Sequence, residues 1–154
     1  MSSYDFVLEQ DIDVSPSVLH AFLCDLNNYI PLHPFIQSIQ QLTPRDDLPR
    51  AKCYRVVDRI PFGPFTLRTV YIAALDPVSE SEVHGYAWQL PSIRLHTVYA
   101  LTATALGTHL VESVRVNAPR LLRRFVTNRA SRAHAETLSK MKLLLENGGS
   151  FEHE

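Results

Sequence analysis

The alternation of apolar and polar residues predicts a strand near the start of the chain. Over residues 6–14 apolar and polar side chains alternate with a period of two, which is typical of a strand with one buried face and one solvent-exposed face. Proline- and glycine-containing turns separate the later runs, and such short connections favour antiparallel neighbours. Six further strands are predicted where Val, Ile, Thr and Tyr are frequent, at residues 36–43, 53–60, 65–75, 83–90, 94–105 and 109–117.

Two helical signals follow the first strand. Ser15-Pro16 combines a serine N-cap with proline at the first helical position. Asn27-Asn28 interrupts the helix, and the prolines of residues 29–35 allow only a short further turn, because each disfavours helical backbone in the residue before it. The apolar stripe of the first helix has the three- and four-residue spacing of an amphipathic helix and comprises Val18, Leu19, Phe22, Leu23 and Leu26.

The longest predicted element is a C-terminal helix that runs from Ala118-Pro119 to Gly148 without a breaker. Its apolar stripe has large side chains at both ends and small ones in the middle, where a filled core ordinarily has Leu or Phe. We therefore expect a hollow space between the helix centre and the sheet. The stripe comprises Leu122, Val126, Ala130, Ala133, Thr137, Met141 and Leu144.

This order of elements predicts a single α+β domain over residues 1–154, with residues 148–154 as a frayed tail. The chain has 154 residues, 45% of them apolar, which suffices for one core. Its formal net charge is −1 and it has no recognisable nucleic-acid-binding motif, so the sequence does not favour nucleic-acid binding. Neither a leader sequence nor an apolar run of ~20 residues occurs, so we expect a cytoplasmic protein without a transmembrane segment.

Several short segments carry a resemblance to a known family: Ile12-Asp13-Val14-Ser15-Pro16-Ser17-Val18, residues 22–25 and 28–35, Gly107-Thr108, and Ala118-Pro119 with Leu121-Leu122 and His134. On these segments, nearly the whole chain resembles the START/Bet v 1-like (SRPBCC) superfamily, in particular polyketide cyclase/dehydrase and lipid-transport proteins. The resemblance implies a helix-grip fold, in which a curved antiparallel sheet wraps around the long C-terminal helix and two short helices lie between strands one and two. It also implies a cavity for an apolar ligand; some members are enzymes.

Strand alternation indicates which side chains face that cavity. Because Arg55 and Arg59 mark a wet face, Asp58 on the alternate face becomes a candidate buried carboxylate. Glu112 joins it from the drier face of the last strand. Each carboxylate is interpreted in two ways: as an acid/base or ligand anchor with a raised pKa, or as a structural group hydrogen-bonded to Tyr71, Tyr99 or a backbone amide.

The strand over residues 83–90 carries aromatic side chains on one face and small ones on the other. His84, Tyr86 and Trp88 share a face, opposite Val83 and Gly85. Facing inward, the aromatic side chains would orient a ligand; facing outward, they would form a dimer surface or an aromatic patch. We prefer the inward orientation. The predicted ligand-binding set is therefore Tyr54, Asp58, Leu67, Tyr71, Tyr86, Trp88, Leu95, Tyr99, Glu112, Ala130, Ala133, Thr137 and Met141.

The remaining reactive residues do not form a recognisable motif. No histidine pair, Cys/His spacing or nucleophile motif predicts a metal, a cofactor or a covalent enzyme, and Cys24 and Cys53 are expected to be reduced thiols. His33 is expected to be a partly exposed turn residue, with a place near the pocket mouth as the alternative. Five arginines crowd the first half of the long helix, either as a solvated face or as a site for an anionic head group, an acidic membrane or a partner protein: Arg120, Arg123, Arg124, Arg129 and Arg132.

Three functions are compatible with these features. We favour the first, binding or transport of a small hydrophobic molecule such as a lipid, isoprenoid or polyketide. The second is an aromatase/cyclase- or dehydratase-like enzyme, without metal, in which Asp58, Glu112 or a tyrosine moves protons. The third is a protein-interaction role of the arginine-rich helix, and a homodimer is also compatible with the sequence.

Overall fold

The computed structural model describes residues 4–148, and in them seven strands form one curved antiparallel sheet. The strands are β1 (Phe6–Ile12), β2 (Ile36–Leu42), β3 (Lys52–Phe62), β4 (Phe65–Ser79), β5 (Glu82–Gln89), β6 (Ile93–Ala103) and β7 (Thr108–Asn117). Their order across the sheet is β1-β7-β6-β5-β4-β3-β2, so β1 and β2 form its edges. All the predicted strands are present.

Three helical elements accompany the sheet within the described residues: α1 (Pro16–Leu23), a 3₁₀ helix (Leu26–Leu32) and α2 (Arg123–Glu146). The start of α1 is as predicted, because Ser15 Oγ accepts a hydrogen bond from the Val18 N–H at 3.3 Å. The predicted interruption is also present, slightly earlier than Asn27-Asn28. There Asp25 accepts a hydrogen bond from the Asn27 N–H at 3.0 Å and caps the 3₁₀ helix. The helix-grip architecture is thereby confirmed.

Two predicted boundaries were wrong. The long helix begins at Arg123 rather than at Ala118-Pro119, and Leu122 at its N-cap position makes no side-chain capping hydrogen bond. β4 continues through Pro77, where a turn was predicted, and reaches Ser79. Its pairing with β5 shifts register between Asp76 and Ser79. Such an irregularity accommodates a residue that cannot donate a ladder hydrogen bond. Of the predicted frayed tail, residues 149–154 lie outside the described residues.

The core lies between α2, the short helices and the concave face of the sheet. Along β3, Tyr54, Val56 and Asp58 are buried as predicted and Arg59 is exposed, but the predicted wet face is only partly wet, because Val57 on that face is also buried. In β7 the predicted dry face is likewise buried, comprising Leu110, Glu112, Val114 and Val116. A smaller apolar cluster lies on the convex face, around Ala51, Cys53 and Ala74. Both cysteines are free thiols. No helix among residues 4–148 is both long and apolar enough to cross a membrane.

Candidate functional site

Two adjoining cavities lie between the concave face of the sheet and α2. The first, here called the inner cavity, has a volume of about 130 Å³. The second, here called the mouth cavity, has a volume of about 390 Å³ and lies toward the start of α2. His33, Leu95 and Thr137 line both, so the two share a wall. Ala130, Ala133 and Thr137, the small side chains in the middle of the predicted helix stripe, all lie on the walls of these spaces.

The predicted set of residues divides between these cavities. Most members lie on a cavity wall. The mouth cavity is lined by Asp58, Leu67, Ala130 and Ala133, in addition to the shared Leu95 and Thr137. The inner cavity is lined by Tyr71, Tyr99, Glu112 and Met141, together with the same shared residues.

The aromatic side chains of β5 contradict the preferred inward orientation. The Tyr86 ring stacks on Trp88 at 5.7 Å and on His96 at 4.6 Å, and the Arg45 guanidinium lies 4.4 Å over the Trp88 ring. These rings pack against the convex cluster. Val83 and Gly85 occupy the concave face instead, because successive side chains of a strand point to opposite faces.

Tyr86 and Trp88 differ in their relation to the cavities. Trp88 lines neither cavity, whereas Tyr86 contributes to the wall of the inner cavity although its ring stacks on the convex face. A further predicted residue, Tyr54, also lines neither cavity. It is fully buried in the core, where its hydroxyl accepts a hydrogen bond from the Leu26 N–H at 3.4 Å, and burial raises its pKa to about 12.

A carboxylate and a histidine meet on the wall of the inner cavity. Glu112 of β7 is buried and hydrogen-bonds to Nδ1 of His134, which projects from α2. The Phe6 ring packs edge-on against the His134 ring, with centroids 5.8 Å apart. The partner of Glu112 is therefore a helix residue rather than the tyrosine or backbone amide considered above. The pair joins α2 to β7 at the wall of the inner cavity.

Three tyrosines lie on the wall of the inner cavity and keep their protons. Burial raises the pKa of Tyr29, Tyr71 and Tyr99 well above the ordinary value. The Tyr29 hydroxyl donates a hydrogen bond to the Leu23 carbonyl at 3.0 Å. The inner cavity thus has an apolar wall with a few neutral hydroxyl groups and one carboxylate–histidine pair.

Asp58 is a polar group on the wall of the mouth cavity, and its hydrogen bonding is incomplete. Only 7% of the residue is exposed, and Oδ1 has no hydrogen-bond partner among residues 4–148. Burial raises the pKa of this carboxyl from 3.8 to about 6. A carboxyl in this state accepts or donates a proton near neutral pH, or anchors a hydroxyl or amine of a ligand.

His33 lies between the two cavities. Its Nδ1 is buried and has no hydrogen-bond partner within the part of the chain that the structure describes. Burial, followed by the nearby His134 and Lys140, lowers the pKa of His33, which favours the neutral imidazole. His33 is a partly exposed residue at the end of the 3₁₀ helix, as expected, and it also lies on the pocket wall.

The sequence reasoning missed His134 and Tyr29 as wall residues. His134 had a detectable signal, since it follows Ala130 by four residues and precedes Thr137 by three, so all three share a helix face. Tyr29 lies in the proline-rich 3₁₀ segment, where apolar periodicity does not indicate a face. Among residues 4–148, no group of three His, Cys, Asp or Glu side chains is placed to hold a metal ion.

The fold and the paired cavities define the class of the protein as helix-grip. No family model matches the sequence, and no curated protein does. Solved structures do match. The di-domain ARO/CYC StfQ from the steffimycin biosynthetic pathway superposes with a TM-score of 0.72 at 12% identity, over 94% of this chain and 52% of StfQ. This chain therefore spans about half the length of StfQ.

Two further structures match over most of both chains. TTHA0849 from Thermus thermophilus has a TM-score of 0.65 at 16% identity, over 94% of this chain and 98% of its own. Ara h 8.0201 has a TM-score of 0.60 at 16% identity, over 86% of this chain and 93% of its own. Identities this low show a shared fold. The predicted resemblance to the START/Bet v 1-like superfamily is confirmed at that level.

Proposed function

We propose that this protein is a single cytoplasmic domain that binds or transports a small hydrophobic molecule, such as a lipid, isoprenoid or polyketide, between the sheet and α2. The observation that carries the proposal is the pair of adjoining cavities beneath Ala130, Ala133 and Thr137. The mouth cavity alone, at about 390 Å³, lies within the ~300–1,000 Å³ range of small-molecule sites.

The composition of the walls supports an apolar ligand. Ile60, Leu67, Ile93, Leu95 and Val126 give the mouth cavity a mainly aliphatic lining. Removing apolar surface from water contributes roughly 25 cal/mol per Å², so burial in such a lining supplies most of the affinity. Asp58 and His33 present buried polar atoms without partners, and these give selectivity for a ligand with a hydroxyl or amine group.

The experiment is to fill the cavity from the helix side. Ala133→Leu places a larger side chain on the wall of the mouth cavity, and we expect at least tenfold weaker binding of the neutral dye N-phenyl-1-naphthylamine. Native mass spectrometry of the mildly purified wild-type protein is expected to show co-purifying apolar ligands that the variant lacks.

The matched control is Ala135→Leu, since Ala135 is an exposed residue of the same helix. It adds the same atoms away from the cavities and is expected to leave dye binding unchanged. Equal dye affinity in the wild type and Ala133→Leu would contradict the proposed cavity, as would an equal loss in both variants.

A second candidate function is an aromatase/cyclase- or dehydratase-like enzyme. The observation that favours it is Asp58, a cavity carboxyl with an unpaired oxygen and a pKa of about 6, suited to general acid/base work. StfQ, described as an ARO/CYC, has the same fold. If the protein is such an enzyme, we expect the wild type to convert a poly-β-ketone thioester. Asp58→Asn is expected to lose this turnover while keeping its affinity for the dye. No conversion by the wild type would leave the binding function as the proposal.

A further inference from the structure

Three loops at one end of the sheet expose large apolar side chains. The β3–β4 turn, the β5–β6 turn and the β7–α2 connection lie at the same end, because each follows a strand that runs in the same direction. Phe65, which begins β4 directly after the first turn, is 72% exposed; Leu90 in the second turn is 88% exposed and Leu121 in the third connection is 96% exposed. Single exposed apolar residues are common, but three on neighbouring loop tips indicate an interaction surface.

The mouth cavity lies among these loop tips. Phe35, Leu67 and Phe125 line it and are themselves exposed. Phe35 directly precedes β2 and Leu67 follows the β3–β4 turn, so both lie at the same end as the tips. The apolar surface of the tips therefore continues into the cavity wall. We call this end of the molecule, with Phe65, Leu90, Leu121, Phe35, Leu67 and Phe125, the apolar rim.

The segments that form the apolar rim are strongly basic although the whole chain has a net charge of −1. Residues 59–69, 89–95 and 118–132 contain eight arginines and no aspartate or glutamate. The carboxylates beside these segments offset only part of this charge. Asp5 pairs with Arg123 and so neutralises one of the eight arginines, Glu136 pairs with Lys140, and Asp58 lies buried on the cavity wall. This end of the molecule therefore has a positive potential, opposite in sign to the chain as a whole.

We propose that the apolar rim docks on an anionic lipid membrane, with the loop tips inserted among the lipids and the arginines against the head groups. Apolar side chains that enter the interface beside basic residues are the features that hold proteins on anionic bilayers. A fluid bilayer can accommodate all the loop tips around the mouth cavity at the same time. A folded protein partner would need a surface complementary in shape to every tip. The proposal does not depend on which ligand, if any, occupies the cavities.

The test is flotation of the full chain with vesicles. We expect the protein to float with vesicles of 70% phosphatidylcholine and 30% phosphatidylglycerol and not with pure phosphatidylcholine vesicles. Binding is expected to fall steeply as NaCl rises, because screening shortens from about 10 Å at 0.1 M to about 3 Å at 1 M salt. Absence of binding to the phosphatidylglycerol vesicles at low salt would overturn the proposal.

Matched variants at the two ends of the sheet make the test specific. Leu121→Gln is expected to weaken vesicle binding at least tenfold, while Leu106→Gln leaves it unchanged, because Leu106 is 80% exposed but lies in the β6–β7 turn at the opposite end. Arg124→Gln and Lys52→Gln form a second pair, each removing one exposed positive charge from opposite ends. An equal effect within either pair would show that the rim is not the docking surface.

Sedimentation and dye binding separate this proposal from its alternatives. We expect a monomer in analytical ultracentrifugation. A dimer that Leu121→Gln dissociates would mean that a second copy of the chain covers the rim, and would overturn membrane docking. Because N-phenyl-1-naphthylamine binding is measured without vesicles, Leu121→Gln is expected to keep it. If the wild type does not bind vesicles but binds the dye, only the membrane-docking proposal is contradicted. The dye affinity of Ala133→Leu tests the cavity proposal alone.

Discussion

At the scale of single residues, Asp58 shows how burial alone can change the chemistry of a side chain. It lies inward because of its place in the alternation of β3, with Arg59 exposed beside it. No cation is needed to explain its pKa, since loss of water around the carboxylate is the cause. When the carboxyl is ionised, the loss of its hydration lowers the stability of the folded state.

This cost predicts the pH dependence of stability. The carboxyl has a higher pKa in the folded state, about 6, than its ordinary 3.8, so the folded protein binds the proton more tightly. The stabilising contribution is complete below pH 4 and is lost as the pH rises through 6. At about 1.4 kcal/mol per pKa unit, the loss reaches about 3 kcal/mol. Asp58→Asn cannot ionise, so urea denaturation is expected to show that its free energy of unfolding falls less between pH 4.5 and 7.5 than that of the wild type.

The comparison uses the difference between the two proteins, because every other titrating group is common to both. Parallel pH profiles for wild type and variant would show that Asp58 is hydrated in the folded protein. A wild type that gains stability relative to Asp58→Asn as the pH rises would reverse the sign and indicate a cation beside the carboxylate.

Residue alternation explains which wall residues the sequence could predict. Asp58 and Glu112 were placed correctly because arginine or polar neighbours in the same strands marked the wet face. The identity of the Glu112 partner was not predictable in this way. His134 lies 22 residues away on α2, and only the packing of helix against sheet brings the two together.

At the scale of elements, local signals predicted which elements exist better than where they end. The Ser15-Pro16 start of α1 uses contacts within four residues, and it is correct. The start of α2 and the end of β4 depend on the elements around them. Pro77, a strong local turn signal, is accommodated by a register shift in the pairing with β5.

The face of β5 was predicted wrongly for a physical reason. Hydrophobicity identifies the inner face only when the outer face is wet, and here both faces are covered. On the convex side, Leu48, Cys53 and Ala74 give Trp88 and Tyr86 an apolar surface. On the concave side, Gly85 makes room for the neighbouring Tyr99 and Leu75 side chains. The large residues were therefore assigned to the wrong layer.

The junction between elements near Gly107 gives a prediction at this scale. A Cβ on Gly107 would lie 2.8 Å from Asp13 Cα and 2.9 Å from Val14 N, all of them backbone atoms between β1 and α1. Thr108 Oγ1 also donates a hydrogen bond to the Val14 carbonyl at 2.7 Å. Gly107→Ala is therefore expected to lower the free energy of unfolding in urea by at least about 2 kcal/mol, through forced backbone movement.

Gly85→Ala is the matched control. A Cβ on Gly85 meets its nearest neighbours at 3.6 Å, which is ordinary van der Waals contact, so the same added methyl group is expected to cost less than about 1 kcal/mol. A larger loss in Gly85→Ala than in Gly107→Ala would show that the approach of the β6–β7 turn to the β1–α1 junction is not tight.

At the scale of the whole molecule, the sheet separates two environments. Its concave face, with α2, encloses the cavities, and its convex face carries the stacked Trp88, Tyr86 and His96 rings, with Arg45 over Trp88. Because successive side chains of a strand point to opposite faces, a ligand in the cavities does not contact the Trp88 side chain, which lines neither of them. The chain has one tryptophan, so its fluorescence reports on the convex face alone.

This separation predicts that the tryptophan does not sense the ligand. Adding a saturated fatty alcohol, which does not absorb at the emission wavelengths, is expected to leave the Trp88 emission maximum unchanged while it displaces N-phenyl-1-naphthylamine. Trp88→Phe is expected to bind the dye within twofold of the wild type. Moving the reporter provides the control: in Trp88→Phe with Phe125→Trp, the new tryptophan lies on the mouth cavity wall, and its emission is expected to shift on ligand addition. A shift in the wild type with none in the relocated reporter would place the ligand on the convex face and remove the basis of the cavity proposal.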